Sequence, residues 1–503
     1  MKTPSTELFD LIKSLGAGEA NEFIRSCNLD KSQKEADYLL LFKAYLNSKV
    51  LDETKIRGSL KIKNFKRVKH YLQSTLLSFL ATREGYSIEK EIVNMISVGN
   101  LLMDRSLFLQ ALNIFERAKK KAIHFELNYH ILIIEEKLFH LNSHLNNKTY
   151  VDSVFSGTRE RSIEGALSAI RIEEEYRISL LKRWKFYQEH GTMVRDKKIS
   201  AKLISVLEPY VKKGEEYPPT IAAKHDYYVA AAFYYQEKKQ IAKAIECLEK
   251  SATLAEKHPR EMVGVVPPLI VALNNLIFIY AKYLMLDDLR VTLNRVYEGL
   301  SAKMVYRKVG LVSLMAYESY YCKFVPDYGL RRKRIKWIEE EYVGLLGSQR
   351  MLRHIQTGMN LSVCYFCEGK FKRALEFINE IESHPEHLGF PSMMGVIKVY
   401  KLVLYYEMKK YDLLSYLFRS TYRYLLKNET YKGFEKIVLK TLNKMVEAHS
   451  ERGQALVLQN AYKELLYLKK DEFENAVFLA FNFIGWIKCK MEKANFKYLM
   501  TQS

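Results

Sequence analysis

The sequence predicts an all-α fold, an α-solenoid of divergent antiparallel helical hairpins with an irregular helical region at its N-terminus. The first observation is a repeated pattern: a small residue, a large apolar residue four places later, and a further position three places after that. Its copies stand at Ala111, Phe115 and Ala118; at Ala244, Leu248 and Ser251; and, with the last position enlarged, at Ala374, Ile378 and Ile381. Such self-similarity indicates stacked hairpins that bury their apolar faces against their neighbours.

The second observation is the distribution of proline. None occurs between Pro4 and Pro209. Because proline commonly interrupts the chain between short strands, its absence favours helix over this region. Most of the later prolines fall where hairpins are expected to turn.

The N-terminal part, residues 1–87, is predicted to be an irregular helical region that carries a basic segment at 55–69. Residues 5–47 indicate short helices with a break at 16–18. Residues 65–80 indicate an amphipathic helix, because apolar side chains recur along one of its faces. Those side chains are Val68, Leu72, Leu76 and Leu80.

The second part, residues 88–190, is predicted to hold the first helical repeats and one long helix. Helices are expected near 88–103, 106–124 and 127–145. The polar stretch 146–162 is expected to be a long loop, and a charged helix follows at about 160–190.

The third part, residues 191–503, is predicted to be the main helical array. The expected helices are 195–213, 219–237 with 240–257, 266–282 with 286–301, 304–323 with 329–345, 350–367 with 370–383, 390–408 with 411–427, 430–449 with 453–468, and 472–489. The stretch 262–286 is the most membrane-like, but prolines, asparagines and Lys282 interrupt it. We therefore expect no membrane span.

The charge balance favours acidic partners. Lysine and arginine number 79 against 58 aspartate and glutamate, a formal net charge of +21, and the excess is spread along the chain. The six cysteines are scattered and the N-terminus has no apolar secretory core, so a reducing cytoplasm is the expected location.

The basic segment 55–69 is the candidate site for a polyanion, which could be a phosphate backbone, an anionic membrane surface or an acidic peptide. No acidic residue interrupts its cations, and Phe65 and Tyr71 interleave them, which suits phosphate contacts and base stacking. The alternative is a solvated loop and helix start whose aromatic residues lie in the core. We favour that alternative, since charge runs usually face solvent. The cations are Lys55, Arg57, Lys61, Lys63, Lys66, Arg67 and Lys69.

Three further patterns are interpreted as structural. The basic run at 331–336 precedes three glutamates at 339–341, so we expect ion pairs along one helix. Cys364 and Cys367 form a C-x-x-C without a second pair or a strand–helix context, and small residues suit close helix packing there. Glu136, His140 and His144 share a helix face and are interpreted as a polar helix end. The sequence contains no P-loop, dinucleotide fingerprint, nucleophile elbow or kinase signature. We therefore expect no metal, no cofactor and no enzymatic activity.

The hairpins around Ala111, Ala244 and Ala374 resemble tetratricopeptide repeats over about residues 88–468. Gly99, Ala111, Phe115 and Ala118 match four signature positions, and Gly369 falls at a helix–helix turn. The signature tryptophan position differs in every copy, and it holds Met95, Tyr228 and Gly358. Central positions step by 40 or 45 residues, whereas a regular array steps by about 34, so the repeats are divergent and their helices elongated.

The N-terminal part resembles an uncharacterised group of long cytoplasmic tetratricopeptide-like proteins from Bacteroidetes-type bacteria. The likeness rests on LFDLIKSL at 8–15 and KIKNFKRVKHYLQSTLLSFL at 61–80. Within the second segment it is carried by Asn64, Phe65, Lys69, Tyr71, Leu72, Leu76 and Leu77. The resemblance implies a fold and no particular activity.

The expected function is that of a non-catalytic scaffold or regulator that binds a protein or peptide partner on the concave face of the solenoid. The first helix of each pair is expected to line that face, although most of its tyrosines also suit the core. The tyrosines concerned are Tyr228, Tyr235, Tyr280, Tyr317, Tyr365 and Tyr405. The alternative is a nucleic-acid-associated regulator that uses the 55–69 segment.

Overall fold

The computed structural model describes residues 6–27, 36–48, 51–60, 62–83, 88–190, 195, 197–259, 262, 268–301, 307–325, 327–345, 351–384, 390–448, 450–471, 473–475, 477–498 and 500. Over these residues the secondary structure is helical, with no strand, which confirms the predicted all-α class. The chain divides into two compact units, Met1–Glu91 and Ile92–Ser503.

The described residues of the first unit form five complete helices. They are α1 (Glu7–Lys13), α2 (Ala17–Cys27), α3 (Asp37–Asn47), α4 (Glu53–Leu60) and α5 (Phe65–Arg83). Their apolar stripes meet in one core, in which Ile12, Phe23, Phe42 and Leu72 are fully buried. The predicted amphipathic helix at 65–80 is therefore present, and α4 is an additional helix within the basic segment.

The second unit is a series of helices, each packed against its neighbours in sequence. The boundary between the units falls within α6 (Ile88–Asp104). The series continues with α7 (Phe108–His124), α8 (Asn128–His144), α9 (Lys148–Phe155), α10 (Thr158–His190), α11 (Lys197–Val211), α12 (Ile221–Glu237), α13 (Ile241–Lys257), α14 (Pro268–Lys282), α15 (Leu286–Ser301), α16 (Arg307–Cys322), α17 (Tyr328–Leu345), α18 (Met351–Cys367), α19 (Phe371–Ser383), α20 (Pro391–Glu407), α21 (Tyr411–Lys427), α22 (Gly433–Glu447), α23 (Glu451–Lys469), α24 (Val477–Ala480) and α25 (Phe483–Glu492).

The repeated pattern of small and large residues marks close helix packing. Its nine side chains at 111–118, 244–251 and 374–381 are buried in all three copies. Gly99 of α6 faces Phe115 of α7 so closely that a Cβ at Gly99 would lie 2.5 Å from Cζ of the phenylalanine. The small residue is therefore required where α6 and α7 approach each other.

The hairpin turns share one backbone geometry. A single residue with positive φ follows the first helix, as at Lys239 (60°), Leu284 (56°), Gly369 (72°) and Lys409 (57°). The next amide bonds to a carbonyl five residues earlier, which is the Schellman arrangement that satisfies the free carbonyls of a helix end. These bonds run from Gln240, Met285, Lys370 and Lys410 to Tyr235, Tyr280, Tyr365 and Tyr405 over 2.9–3.1 Å.

Two expectations about local structure were wrong, and a third was right only in part. The predicted loop at 146–162 contains helix α9. The side chain of Asn147 caps the N-terminus of this helix by accepting a hydrogen bond from the Tyr150 amide over 3.4 Å. The predicted helix at 472–489 is two helices, because Asn482 caps a new N-terminus at α25 through the Gly485 amide.

The third correction concerns the basic run at 331–336. Lys336 pairs with Glu340 along α17, as expected. Arg334, however, pairs with Glu318 of α16 over 2.7 Å, and Glu339 pairs with Arg373 of α19 over 2.9 Å. Of the cations in the run, Lys336 is therefore paired along α17, as expected, and Arg334 is paired with the neighbouring helix α16.

Candidate functional site

One face of the helical array in the second unit lines a cavity of about 170 Å³. The first helices of successive hairpins each contribute residues three or four positions apart, and such residues share one side of a helix. The contributions are Gln236 of α12 with Lys239 just beyond it; Phe278, Ala281 and Lys282 (α14); Ala316 and Tyr320 (α16) with Lys323 directly after it; Gln356, Met359 and Asn360 (α18); and Met393, Val396 and Ile397 (α20). The cavity is therefore a product of the repeat itself.

A segment near the C-terminus completes the wall of this cavity. We call residues 473–475 and 477–482 the closing segment; Phe473, Asn475, Leu479 and Ala480 line the cavity from it. It is tied to a residue nearly 280 positions earlier, because the buried Arg195 guanidinium donates to Glu474.

The ion pairs of Arg195 form a buried cluster. The same guanidinium donates to both carboxylate oxygens of Glu435 in α22, over 2.6 and 3.1 Å. Lys432 donates to the carbonyl oxygen of Arg195 over 2.9 Å. Removing one partner of such a cluster would leave the other charges buried and unpaired, which is destabilising. The guanidinium group and the two carboxylates therefore stabilise this end of the array together.

Aromatic packing makes the closing segment part of the hydrophobic core. The fully buried Phe481 ring has its centroid 4.8 Å from that of Tyr400 and 5.0 Å from that of Phe366. Phe483 packs 4.7 Å from Phe481. Burial of aromatic rings in this way contributes strongly to stability, so the segment is a fixed wall of the cavity.

Lys323 is the most deeply buried charge in the cavity wall. Its side chain is only 2% exposed, and its Nζ donates to the carbonyl oxygens of Leu479 (2.7 Å) and Ala480 (3.4 Å). The Nζ also lies 4.2 Å from the centroid of the Tyr320 ring. No carboxylate of a described residue pairs with it. Burial lowers the pKa of Lys323 to about 7, because the charged ammonium loses its hydration.

Lys239 and Lys282 also line the cavity and, with Lys323, give it an excess of positive charge. Burial lowers the pKa of Lys282, with Glu237 opposing the shift and Lys239 adding to it. Glu237 is the one carboxylate in the described lining, and it already accepts a hydrogen bond from Ser200 over 2.8 Å. Lys282 forms neither a hydrogen bond nor an ion pair with any described residue.

Gln236 presents an unused amide in the same wall. The residue is only 3% exposed, and its Oε1 atom is buried without a hydrogen-bond partner in the described chain. A buried amide that lacks partners costs free energy, and such groups in proteins are usually satisfied by a ligand or by water. The lining therefore combines lysine donors, a free amide and apolar side chains.

The tyrosines predicted to bind a partner occupy a different part of the hairpins. None of Tyr228, Tyr235, Tyr280, Tyr365 and Tyr405 lines the cavity. Four of them stand one turn before the hairpin bend and provide the carbonyl that closes it. The hydroxyl groups of Tyr228 and Tyr365 donate to Glu215 and Glu339.

Tyr317, by contrast, lines the cavity together with Tyr320, and its hydroxyl donates to the Asn274 carbonyl over 3.1 Å. The first helices of the hairpins therefore line the cavity, whereas the expectation that they line a concave binding face stays a prediction. Contact of any tyrosine with a partner stays a prediction.

The basic segment lies in the first unit, at the corner between α4 and α5. Five of its cations are exposed and form no ion pair with a described residue: Lys55, Arg57, Lys63, Lys66 and Arg67. Lys69 is paired with Glu53 over 2.5 Å, and Lys61 lies outside the described residues. Phe65 is buried in the core, whereas Tyr71 is 55% exposed and packs edge-on against Tyr38.

The cysteine and histidine patterns show no geometry for chemistry. Cys364 and Cys367 are buried, and burial raises the pKa of each thiol to about 12, which disfavours the reactive thiolate. Glu136 and His140 approach to 4.0 Å on the surface of α8. Among the described residues, no group of three potential ligands can hold a metal ion.

Comparison with known proteins adds no relative: the chain matches no protein-family model, no curated protein and no solved structure. Within the described helices, none combines the length and apolar character needed to cross a bilayer.

The sequence analysis did not select Lys282 and Lys323 as candidate site residues, although both line the cavity. Each interrupts an apolar stretch, and that interruption is the signal that a search could have used. Lys282 ends the apolar helix α14, and Lys323 stands between Cys322 and Phe324, both buried. A lysine in such a position is either a helix end or a buried cation, and only the closing segment, about 150 residues later, distinguishes them.

Proposed function

We propose that the protein is a non-catalytic scaffold or regulator that binds an acidic peptide, or a peptide segment of a protein partner, at the cavity of its second unit. The observation that carries the proposal is the lining: three lysines face one carboxylate in a wall that is otherwise largely apolar. Charge complementarity selects an acidic partner, and the apolar surface supplies affinity.

The geometry also supports a binding role for the repeat. Successive hairpins present equivalent positions to one cavity, so a ligand would contact several hairpins at once. Such continuous inner surfaces are what helical-repeat proteins use to hold extended peptides. We further propose a tetratricopeptide-like ancestry and a cytoplasmic location, on the repeat signature and the free cysteines.

The test is selection of peptides from a phage-displayed random library on the intact protein, followed by affinity measurement with synthetic peptides. We expect the selected peptides to be enriched in aspartate and glutamate. Filling the cavity by Met359→Trp should weaken their binding at least tenfold. Val396→Phe provides a second cavity-filling variant in case the first unfolds.

The matched control is Leu456→Trp on α23, where the leucine is 60% exposed and lies outside the cavity. This variant should bind like the wild type. Selected peptides that are not acidic, or that bind Met359→Trp unchanged, would place the binding surface elsewhere and reject the proposal.

A second candidate function is association with nucleic acid through the basic segment. The observation in its favour is the set of five exposed, unpaired cations within 13 residues, beside the exposed Tyr71. Each phosphate contact adds about one unit to the slope of log affinity against log salt. Fluorescence anisotropy with single- and double-stranded oligonucleotides over a salt series measures that slope.

The variant for this test reverses three of the cations: Lys63→Glu, Lys66→Glu and Arg67→Glu. Its control has the same net charge and reverses Lys336, Lys440 and Lys463, which are exposed in the second unit. We expect weak, salt-sensitive binding that only the first variant abolishes. Tight binding that survives high salt and distinguishes sequences would make this the main function.

A further inference from the structure

The ammonium group of Lys323 has one N–H donor that is not used by the closing segment. An ammonium group carries three N–H donors, and two carbonyl oxygens of the closing segment accept from this one. These carbonyls are the last of the short helix α24, so they orient the lysine without neutralising it. A buried cation without an anionic partner is costly, and an anion that enters the cavity would remove that cost.

Lys282 and Gln236 line the same cavity as Lys323. Neither side chain has a hydrogen-bond partner within the described chain, and both line the cavity. Gln236 can both donate and accept, since its amide carries an NH₂ group and a carbonyl oxygen. The two ammonium groups and the NH₂ group of Gln236 are the donors suited to a carboxylate, whereas the unpartnered Oε1 atom can only accept.

The other lining residues favour a ligand that has an apolar part. Met359, Val396 and Ile397 face the cavity from α18 and α20, and Leu479 faces it from the closing segment. A ligand with a charged head and an apolar chain satisfies both regions, whereas a phosphate or a sugar would leave the apolar region unfilled.

We infer that the cavity binds a carboxylate carried by an apolar chain, with the carboxylate at Lys323, Lys282 and Gln236 and the chain against the methionine and aliphatic side chains. This inference rests on the proposed function, because it names the chemistry that the same site recognises. The carboxylate has two possible sources, a small free organic acid or the free C-terminus of an apolar peptide.

The experiment compares ligands that differ only in the carboxylate. Decanoate and 1-decanol form one matched pair, and N-acetyl-Leu-Leu free acid and its C-terminal amide form the other. Each is titrated into the full-length protein by isothermal calorimetry. We expect the acid of at least one pair to bind about tenfold or more tightly than its neutral counterpart, and the pair that shows this preference identifies the source.

Three variants test the location. Lys282→Met removes a cation that bonds to nothing in the described chain, so it tests the subsite without disturbing the closing segment. Lys323→Met removes the buried donor, and its folding is checked by circular dichroism. Each should reduce the affinity for the acid to that for its neutral counterpart. Lys336→Met, at a 77% exposed position outside the cavity, should change nothing.

Equal affinity for the acid and the neutral ligand in both pairs would overturn the inference, as would acid binding that Lys282→Met leaves unchanged. The proposed function can fail separately. If acidic peptides bind as proposed but neither acid does, only the carboxylate subsite is wrong. If an acid binds as expected but no acidic peptide is selected, the subsite stands and the cavity serves a small molecule.

Discussion

The pH dependence of stability should report the burial of Lys323. The perturbation is Lys323→Met, which keeps the length of the side chain and removes its titration. In the folded protein burial lowers the pKa of Lys323 to about 7, from an ordinary value of 10.5. Between these two values the unfolded chain therefore binds more protons at this position than the folded chain.

The sign follows from proton linkage. Stability rises with pH wherever the unfolded state binds more protons, so wild-type stability should increase relative to the variant as pH rises above about 7. At about pH 6 the lysine is charged in both states and contributes no slope. A pKa change of one unit is worth about 1.4 kcal/mol, so raising the pH from about 6 to about 9 should add about 2–3 kcal/mol to the difference.

The groups around Lys323 set the background of this measurement. The cavity side offers Lys282, Lys239 and Glu237; α16 offers Tyr320, and α18 offers Cys364 and Cys367. These groups are common to the wild type and the variant, so the difference between the two proteins largely cancels their titration. Their coupling to Lys323 reduces the slope without reversing it.

The assay is urea unfolding of both proteins at several pH values between about 6 and 9, followed by circular dichroism. We expect the free energy of unfolding of the wild type to increase relative to that of the variant as the pH rises. A difference that is constant with pH would show that Lys323 keeps an ordinary pKa and is hydrated in the folded protein. A difference that shrinks with increasing pH would contradict the linkage argument, because a lowered lysine pKa cannot give that sign.

Three other substitutions test the packing, the buried ion pairs and the basic segment. Gly99→Ala should lower the melting temperature, because overpacking against Phe115 costs about 1–3 kcal/mol and exceeds the gain of about 1 kcal/mol in helix propensity; Gly165→Ala in α10, where a Cβ meets nothing within 4 Å, should be neutral or stabilising. Arg195→Leu should cost about 3–5 kcal/mol in the free energy of unfolding, since it strands Glu435 and Glu474, and adding Glu435→Gln and Glu474→Gln should recover part of the loss. An unchanged urea midpoint for Arg195→Leu would mean that water already solvates these carboxylates. Reversing Lys63, Lys66 and Arg67 to glutamate should leave peptide binding at the cavity unchanged in calorimetry, and a loss of that binding would link the basic segment to the partner.

The repeat was predictable from sequence because its cause is local. Gly99 and Phe115 must be small and large, since their helices touch, and that requirement recurs as a spacing in the chain. The hairpin turns were harder to predict from the sequence. Glycine marks the positive φ at Gly369, but Lys239, Leu284 and Lys409 adopt the same conformation without it. A tyrosine four places before each of these residues is a better marker of the turn than its own identity.

The cavity was not predictable, because its wall joins distant parts of the chain. Arg195 and Glu474 are 279 residues apart, and Lys323 reaches carbonyls more than 150 residues later. No periodicity within one helix records such contacts. The sequence analysis selected the first helices of the hairpins, which do line the cavity, but it selected tyrosines on them. The cavity instead uses the neighbouring positions, such as Gln236 beside Tyr235 and Ala281 beside Tyr280.

Site-specific photo-crosslinking tests most directly whether the cavity is the binding site. A benzophenone amino acid replaces Met393, which lines the cavity on α20, and in a second protein it replaces Tyr416, which is 70% exposed on α21 and does not line the cavity. A labelled acidic peptide from the library selection is added to each protein and irradiated. We predict that the peptide is crosslinked at position 393 and not at position 416. Crosslinking at 416 alone, or equally at both positions, would contradict the account.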